Sequence, residues 1–392
     1  MNFELNAEQV QLQSSVQRLY AERFQFDTRC RLLQGNSWHS ESLWSDLTQL
    51  GLPAVLVPES VGGIGGHLED MWPVLHAAAG ALSLEPIISS MVLGTSALSL
   101  SGGSHVESRW LSELAEGRKT LAWAHDESGS SVSAGLSPTR AWPTEKGWVI
   151  SGHKGPVLHG PLVHGFIVTA RVQDPTSTAP HAEERLALFL VDRSQAQPSA
   201  LTGREYRLVD DTAASDLHFQ DTNAHPLGNP FDSAFQSQLL EQVTLLGMAA
   251  LCVDMLGAME AAYRMSIDYL NVRKQFGRLI GQNQALRHRA ADMRVHVELG
   301  RSAAMAAVIA ADRPLAPGSH REVLQAKLIL GRYARQVCES AIHCHGGIGM
   351  TEEYAVGHYL RRVHVADHWF GHSQHLAHRL ASSHLRGQVS LP

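Results

Sequence analysis

Residues 269–277 read YLNVRKQFG and residues 343–353 read HCHGGIGMTEE, each lying at the end of a long run with helical periodicity. In the first, a helix ending near Arg273 is followed by a flat ring, Phe276, and a turn glycine, Gly277. A guanidinium forks onto a pair of pyrophosphate oxygens and a phenyl ring packs on an adenine face, so this corner suits a dinucleotide. It also suits a plainer role. A cation near a helix C-terminus is favoured by the dipole, and a glycine there acts as a cap with no ligand involved. In the second stretch, Gly346, Gly347 and Gly349 let backbone approach a ligand closely and leave amides to bond its oxygens. An ordinary inter-helix turn uses the same residues.

Working outward, the flanking segments keep the helical period from residue 231 to the end, long enough for a bundle. Before them, WVISG, GFIVTARV, LALFLVD and ASDLHF are short runs rich in β-formers, separated by DPTSTAP, SQAQPSAL and NAHPLGNP. The first part returns to helical periodicity with glycine and proline punctuation. The pattern predicts a helical domain over 1–118, a central β domain over 119–230 and a helical domain over 231–392. A Rossmann unit is not supported, because the glycine-rich VGGIGGHLED does not stand between strand and helix in a βαβ series.

Composition narrows the function. The 392 residues carry 32 Lys plus Arg against 38 Asp plus Glu, a net charge of −6, with no basic tail or arginine stripe, which argues against nucleic acid as partner. No run of about 18 uninterrupted apolar residues reads as a membrane span. The start lacks the basic-then-apolar layout of a secretory signal, so a cytoplasmic location is expected. Cys30, Cys252, Cys338 and Cys344 lack metal-ligand spacing and read as packed thiols. The late histidine-rich stretch, HYLRRVHVADHWFGHSQHLAHRLASSH, has no tight ligand pattern, and no metal is expected.

Taken together, RKQFGRLIGQNQ and HGGIGMTEEYAVGHYLRR resemble the two C-terminal signatures of the acyl-CoA dehydrogenase family. The opening ELNAEQVQLQSSVQRLYAERF, the stretch GLPAVLVPESVGGIGG and the domain order are similar to that family too. The resemblance implies a mostly α fold with a central β domain: an N-terminal helical domain, a β-barrel-like middle domain and a C-terminal four-helix bundle, with FAD between subunits. It implies Arg273, Gln275 and Phe276 on the FAD diphosphate and adenosine, with Gln284, His343 and the Gly346–Gly347 turn nearby. His343 stands where the family has glutamine.

The departures are as informative. The family commonly places its catalytic base, a glutamate followed by Gly and Thr, where this chain reads VADHWFGHSQ, so Phe370 occupies that position and cannot accept a proton. Members that carry the glutamate early in the long bundle helix do so where this chain has Leu245, Leu246, Gly247 and Met248. Against the flavin ring, the family's Thr-Glu-Pro and Gly-Ser-Asp are replaced by His125, Asp126, Glu127, Ser128, Gly129 and Ser130, and its Trp-Ile-Thr by Pro156, Val157 and Leu158. The ending therefore resembles the small subunits of heteromeric members, such as pimeloyl-CoA and steroid side-chain enzymes. That resemblance implies an acyl-CoA substrate, oxidation of a CH–CH bond, a second dehydrogenase-like subunit supplying the base, and electron-transferring flavoprotein as acceptor. Three alternatives stay open: a homomer with Glu241 or Asp367 as displaced base, a flavin monooxygenase using His368 or His372, and a flavin-free scaffold.

Overall fold

The computed structural model describes residues 6–127, 138–173 and 185–386. In chain order the helices are α1 (Ala7–Arg23), α2 (Phe26–Gln34), α3 (Glu41–Gln49), α4 (Trp72–Gly80), α5 (Thr95–Leu100) and α6 (His105–Ala115). Strands β1 (Leu121–Ala124), β2 (Arg140–Thr144), β3 (Gly147–Leu158), β4 (Gly165–Val172), β5 (Arg185–Asp192), β6 (Leu201–Arg207) and β7 (Ala213–Pro226) follow. Then come α7 (Ser233–Val272), β8 (Lys274–Gln275), β9 (Arg278–Leu279), α8 (Gln284–Ala311), α9 (Ser319–His345), α10 (Val356–His368) and α11 (Ser373–Arg386). The described order is helical, β, helical, as the periodicity predicts.

The molecule divides into two compact units. Among the described residues the first comprises 6–36, 68–83 and 245–386, and the second 37–67 and those within 84–244. In the first unit α1 starts on a capping box: Asn6 Oδ1 accepts from the Gln9 amide at 2.8 Å while Gln9 Oε1 accepts from the Asn6 amide at 3.0 Å. The core is built on α7, where Met248, Ala249, Ala250, Leu251, Cys252, Val253, Met255 and Leu256 are all buried. A helix apolar on every side belongs in an interior. By length and composition α7 would also cross a membrane, but 72% of its most apolar window is buried in this protein.

Two carboxylates on α7 are compensated inside that core. Asp254 accepts from Arg362 Nε at 3.0 Å and Nη2 at 2.6 Å, a two-pronged pair. Glu260 accepts from Arg264 at 3.0 Å and Arg301 at 2.5 Å and meets His76 Nε2 at 3.2 Å. Burial alone would raise its pKa, but the bonds from His76 and Arg264 and the Arg301 charge hold it down at about 2. For the buried Asp254–Arg362 pair, removing one partner costs about 3–5 kcal/mol, because the other charge is left uncompensated; Arg264 and Arg301 are partly exposed and water screens their pairs with Glu260. Gly257 lets α7 cross α4 closely, since a Cβ there would collide with the His76 carbonyl oxygen. Around it α9 packs against α8, α10 and α11.

The second unit holds the β barrel. Strands run in the order β1-β4-β2-β3-β7-β5, and β5 pairs back onto β4, which closes the sheet; β6 adds to β7. The interior is filled by Ile150, Val157, Phe166, Val168, Phe189 and Phe219 with smaller neighbours. Closure leaves fewer free edges than an open sheet.

Candidate cofactor and active site

The Arg273 corner is built by a turn. Beyond α7, β8 and β9 form a hairpin with Lys274 opposite Leu279 and Gln275 opposite Arg278, leaving Phe276 and Gly277 as a two-residue loop. Their φ angles are 52° and 79°, so both are left-handed, as a turn that follows strand twist requires. Asparagine usually takes the first such position; here it is a phenylalanine that is 99% exposed. Gly281 lets the hairpin return against α7, a Cβ there meeting the Leu270 carbonyl oxygen at 2.7 Å. The Ile280 amide bonds the Arg273 carbonyl at 2.9 Å. The Arg273 backbone is thereby fixed. Its side chain is exposed, as are Gln275 and, at the first position of α8, Gln284.

The second stretch forms the end of α9 and the turn after it. Gly346, with φ 65° and ψ −139°, adopts a backbone open to glycine, and neither it nor Gly347 has any atom within 4 Å of where a Cβ would be. His343 is exposed on the last turn of α9. What joins the two stretches was not singled out from the sequence. The His345 ring lies 4.5 Å from Tyr269 and 5.1 Å from Tyr354, and its Nδ1 meets the Ala341 carbonyl at 2.8 Å. Tyr269 belongs to the first quoted stretch and His345 to the second, so aromatic packing brings both into one region of the first unit. The only sequence signal was an aromatic residue in each.

Phe370 lies on the corner between α10 and α11. It is left-handed with φ 62°, as is Gly371 at 96°, and its ring stacks on Trp369 at 5.3 Å with planes 6° apart. The fully buried Lys327 donates from Nζ to the Asp367 carbonyl at 2.8 Å, fixing the end of α10. Burial lowers the Lys327 pKa to about 8. Asp367 Oδ2 accepts from Ser373 Oγ at 3.3 Å, and Oδ1 is turned against Gly331, into the space that a Cβ there would need. Asp367 thus ties the corner together. Leu245 and Met248 are buried apolar residues, and Glu241 belongs to the other unit.

The flavin-ring candidates lie in the second unit; Ser128, Gly129 and Ser130 fall outside the described residues. Glu127 is committed elsewhere, accepting from the fully buried Lys154 at 2.5 Å. Lys154 also reaches the His125 carbonyl at 3.1 Å and Thr169 Oγ1 at 3.2 Å. Burial pushes the His125 pKa down to about 3, with the Lys154 charge acting the same way, and burial lowers Lys154 to about 8. Pro156 is exposed, while Val157 and Leu158 are buried, and Ser89 Oγ lies 2.7 Å from His159 Nδ1. The sequence reading missed both buried pairs.

The family model for the acyl-CoA dehydrogenase N-terminal domain matches residues 6–118, and that for the acyl-CoA dehydrogenase C-terminal domain matches residues 243–385. The chain belongs to the acyl-CoA dehydrogenase family. Benzylmalonyl-CoA dehydrogenase of Aromatoleum aromaticum (strain DSM 19018 / LMG 30748 / EbN1) is 28% identical over 375 residues, 93% of this chain and 94% of that protein. Among solved structures, a variant of the Tcur3481-Tcur3483 steroid ACAD is 25% identical with a TM-score of 0.84, covering 98% of this chain and 99% of that one. The FAD complex of PigA shares the fold at 21% identity and a TM-score of 0.83, over 99% of this chain and all of that one. Membership of the acyl-CoA dehydrogenase family carries the coarse assignment: a flavoprotein oxidoreductase acting on acyl-CoA, with FAD as cofactor.

Proposed function

We propose that this chain is the subunit without a base in a heteromeric acyl-CoA dehydrogenase, in which a second dehydrogenase-like chain supplies the catalytic glutamate and the flavin-ring cradle. The observation that carries the reading is Phe370, a left-handed aromatic stacked on Trp369 at the family's base position, with no carboxylate at Leu245–Met248 to replace it. The steroid enzyme among the similar structures, whose name pairs two components, favours the same reading.

The residues fit one end of FAD better than the other. Arg273 is exposed with a fixed backbone, Phe276 projects fully into solvent, and the Gly346–Gly347 turn has room for close approach. This set suits a diphosphate and an adenine. Pro156 and Leu158 offer only carbon where a ring cradle would donate hydrogen bonds, and Glu127 is bound to Lys154. Bound FAD would accept hydride from the β carbon of the thioester while a carboxylate removes the α proton. In this proposal Arg273 pairs with the diphosphate, Gln275 and Gln284 hydrogen-bond near it, and Phe276 covers the adenine. His343 extends the polar side of that end, and Phe370 excludes water from a half-site without proton transfer. Electron-transferring flavoprotein as acceptor and a cytoplasmic location belong to the same proposal.

The test is coexpression with a second dehydrogenase-like chain that carries the Glu-Gly-Thr base segment. The chain alone should retain little flavin and oxidise no acyl-CoA. Mutating the partner's glutamate should remove about 10²–10⁴-fold of the assembled rate. Phe370→Glu in this chain should leave turnover nearly unchanged. Robust turnover by this chain alone, abolished by Asp367→Asn or Glu241→Gln, would establish the homomer instead.

A further inference from the structure

A cavity of about 420 Å³ opens in the second unit between the start of α6, the β2–β3 turn and the ends of β5 and β7. None of the residues assigned above to FAD lines it. Its volume lies within the range of small-molecule sites, about 300–1,000 Å³.

Two features of the lining point to a ligand. The first is charge. Arg109, Lys119 and Lys146 all face the cavity in a chain whose net charge is −6. Asp192 is the carboxylate among the lining residues, and it is engaged: Oδ1 accepts from the Ser194 amide at 2.9 Å and hydroxyl at 2.6 Å, and Oδ2 lies 3.4 Å from Lys119 Nζ. Among the described residues neither Arg109 nor Lys146 makes an ion pair; Glu113, held below its usual range first by the bond from Arg118 and also by the Lys119 and Arg109 charges, offsets part of the positive charge, and Lys146 on the facing turn adds to what is left. The second feature is aromatic. Trp148 is braced by Phe189 at 5.4 Å and Phe231 at 5.5 Å, which makes its indole a fixed platform, and Trp110 lies beneath Lys119 Nζ at 4.0 Å. Fixed indoles beside unpaired cations match a ligand that is both flat and negative.

We propose that this cavity binds a small aromatic anion, its ring against Trp148 and its acidic oxygens on Arg109 and Lys146. An aryl carboxylate and a nucleoside monophosphate share that chemistry. Isothermal titration of the full-length chain with benzoate and with AMP tells the two sources apart, and inorganic phosphate and adenosine test each half of the ligand alone. One of the aromatic anions should bind with a Kd below about 1 mM. For AMP, both halves should be at least tenfold weaker. Arg109 and Lys146 are exposed, so the double variant Arg109→Ala/Lys146→Ala keeps the fold, verified by an unchanged Tm, and should weaken binding at least tenfold. No binding of either aromatic anion at about 10 mM would overturn the proposal. So would phosphate binding as tightly as AMP with no binding of benzoate, or an affinity unaltered in the double variant.

Discussion

Phe-Gly occurs twice in this chain, at Phe276–Gly277 and Phe370–Gly371, and all four residues are left-handed. Their surroundings differ. At the corner, the Phe370 ring stacks on Trp369 and the preceding helix end is held by Lys327, so packing offsets the strain of a bulky residue at positive φ. At the hairpin tip Phe276 is 99% exposed, and no ring contact compensates it among the described residues. Strain at a structural corner needs only internal packing. Strain displayed to solvent points to something outside the chain that meets it.

Arg273→Ala, beside the exposed Phe-Gly, gives the sharpest test. If Arg273 makes a charge-assisted bond of about 1.5–3 kcal/mol to the FAD diphosphate, flavin affinity of the assembled enzyme should fall by about 10–150-fold. Arg273→Lys should restore little, since an ammonium lacks the planar fork. Flavin content unaltered in the Ala variant would reduce the hairpin to a helix cap and remove the functional half of the contrast.

The packed corner should respond to pH through the buried Lys327. Burial lowers Lys327 to about 8 from an ordinary value of 10.5. Between these values the unfolded chain holds more protons than the folded one, so stability from this group rises with pH across that window and is constant below it. Comparing wild type with Lys327→Met by denaturant unfolding, the wild type should gain on the variant from about pH 8 to pH 10.5. Parallel curves would mean that the amine is not protonated differently in the two states.

The smallest effects separate the two phenylalanines directly. Asparagine tolerates positive φ, so Phe276→Asn should raise stability by about 1 kcal/mol as strain is relieved, while flavin retention falls. Phe370→Asn relieves the same strain but loses an aromatic pair worth about 0.5–1.5 kcal/mol beyond its burial, and should leave stability level or lower. Thermal unfolding of both variants decides this. A loss at Phe276 equal to or greater than that at Phe370 would show that the exposed ring is held by the chain itself.

Short-range information was legible in the residues. The apolar run of α7 and the β-rich runs of the barrel act over a few residues, so composition and period reveal them. The lack of a proton-exchanging group at position 370 was equally legible, because a phenylalanine there cannot exchange a proton whatever surrounds it. The family resemblance supplied the expectation that Arg273 and Phe276 serve an adenosine site, which physical reading alone had left beside a helix cap.

Tertiary structure decided the pairings between distant residues. Tyr269 and His345 meet because α7 and α9 end in one region, and nothing local in either stretch specifies the other. Glu127 stands in the sequence only as part of the stretch that replaces the family's flavin-ring residues; Lys154, brought to it by the barrel, makes it a buried structural partner. Asp367, one of the two displaced-base candidates, is turned by the fold into the packed corner against Ser373 and Gly331. The sequence by itself determined the succession of helices and strands and the absence of a carboxylate at position 370, since those depend on residue chemistry and short-range spacing. Only packing determined which charged groups remain free to act, because a partner's availability depends on which distant side chain the fold sets beside it.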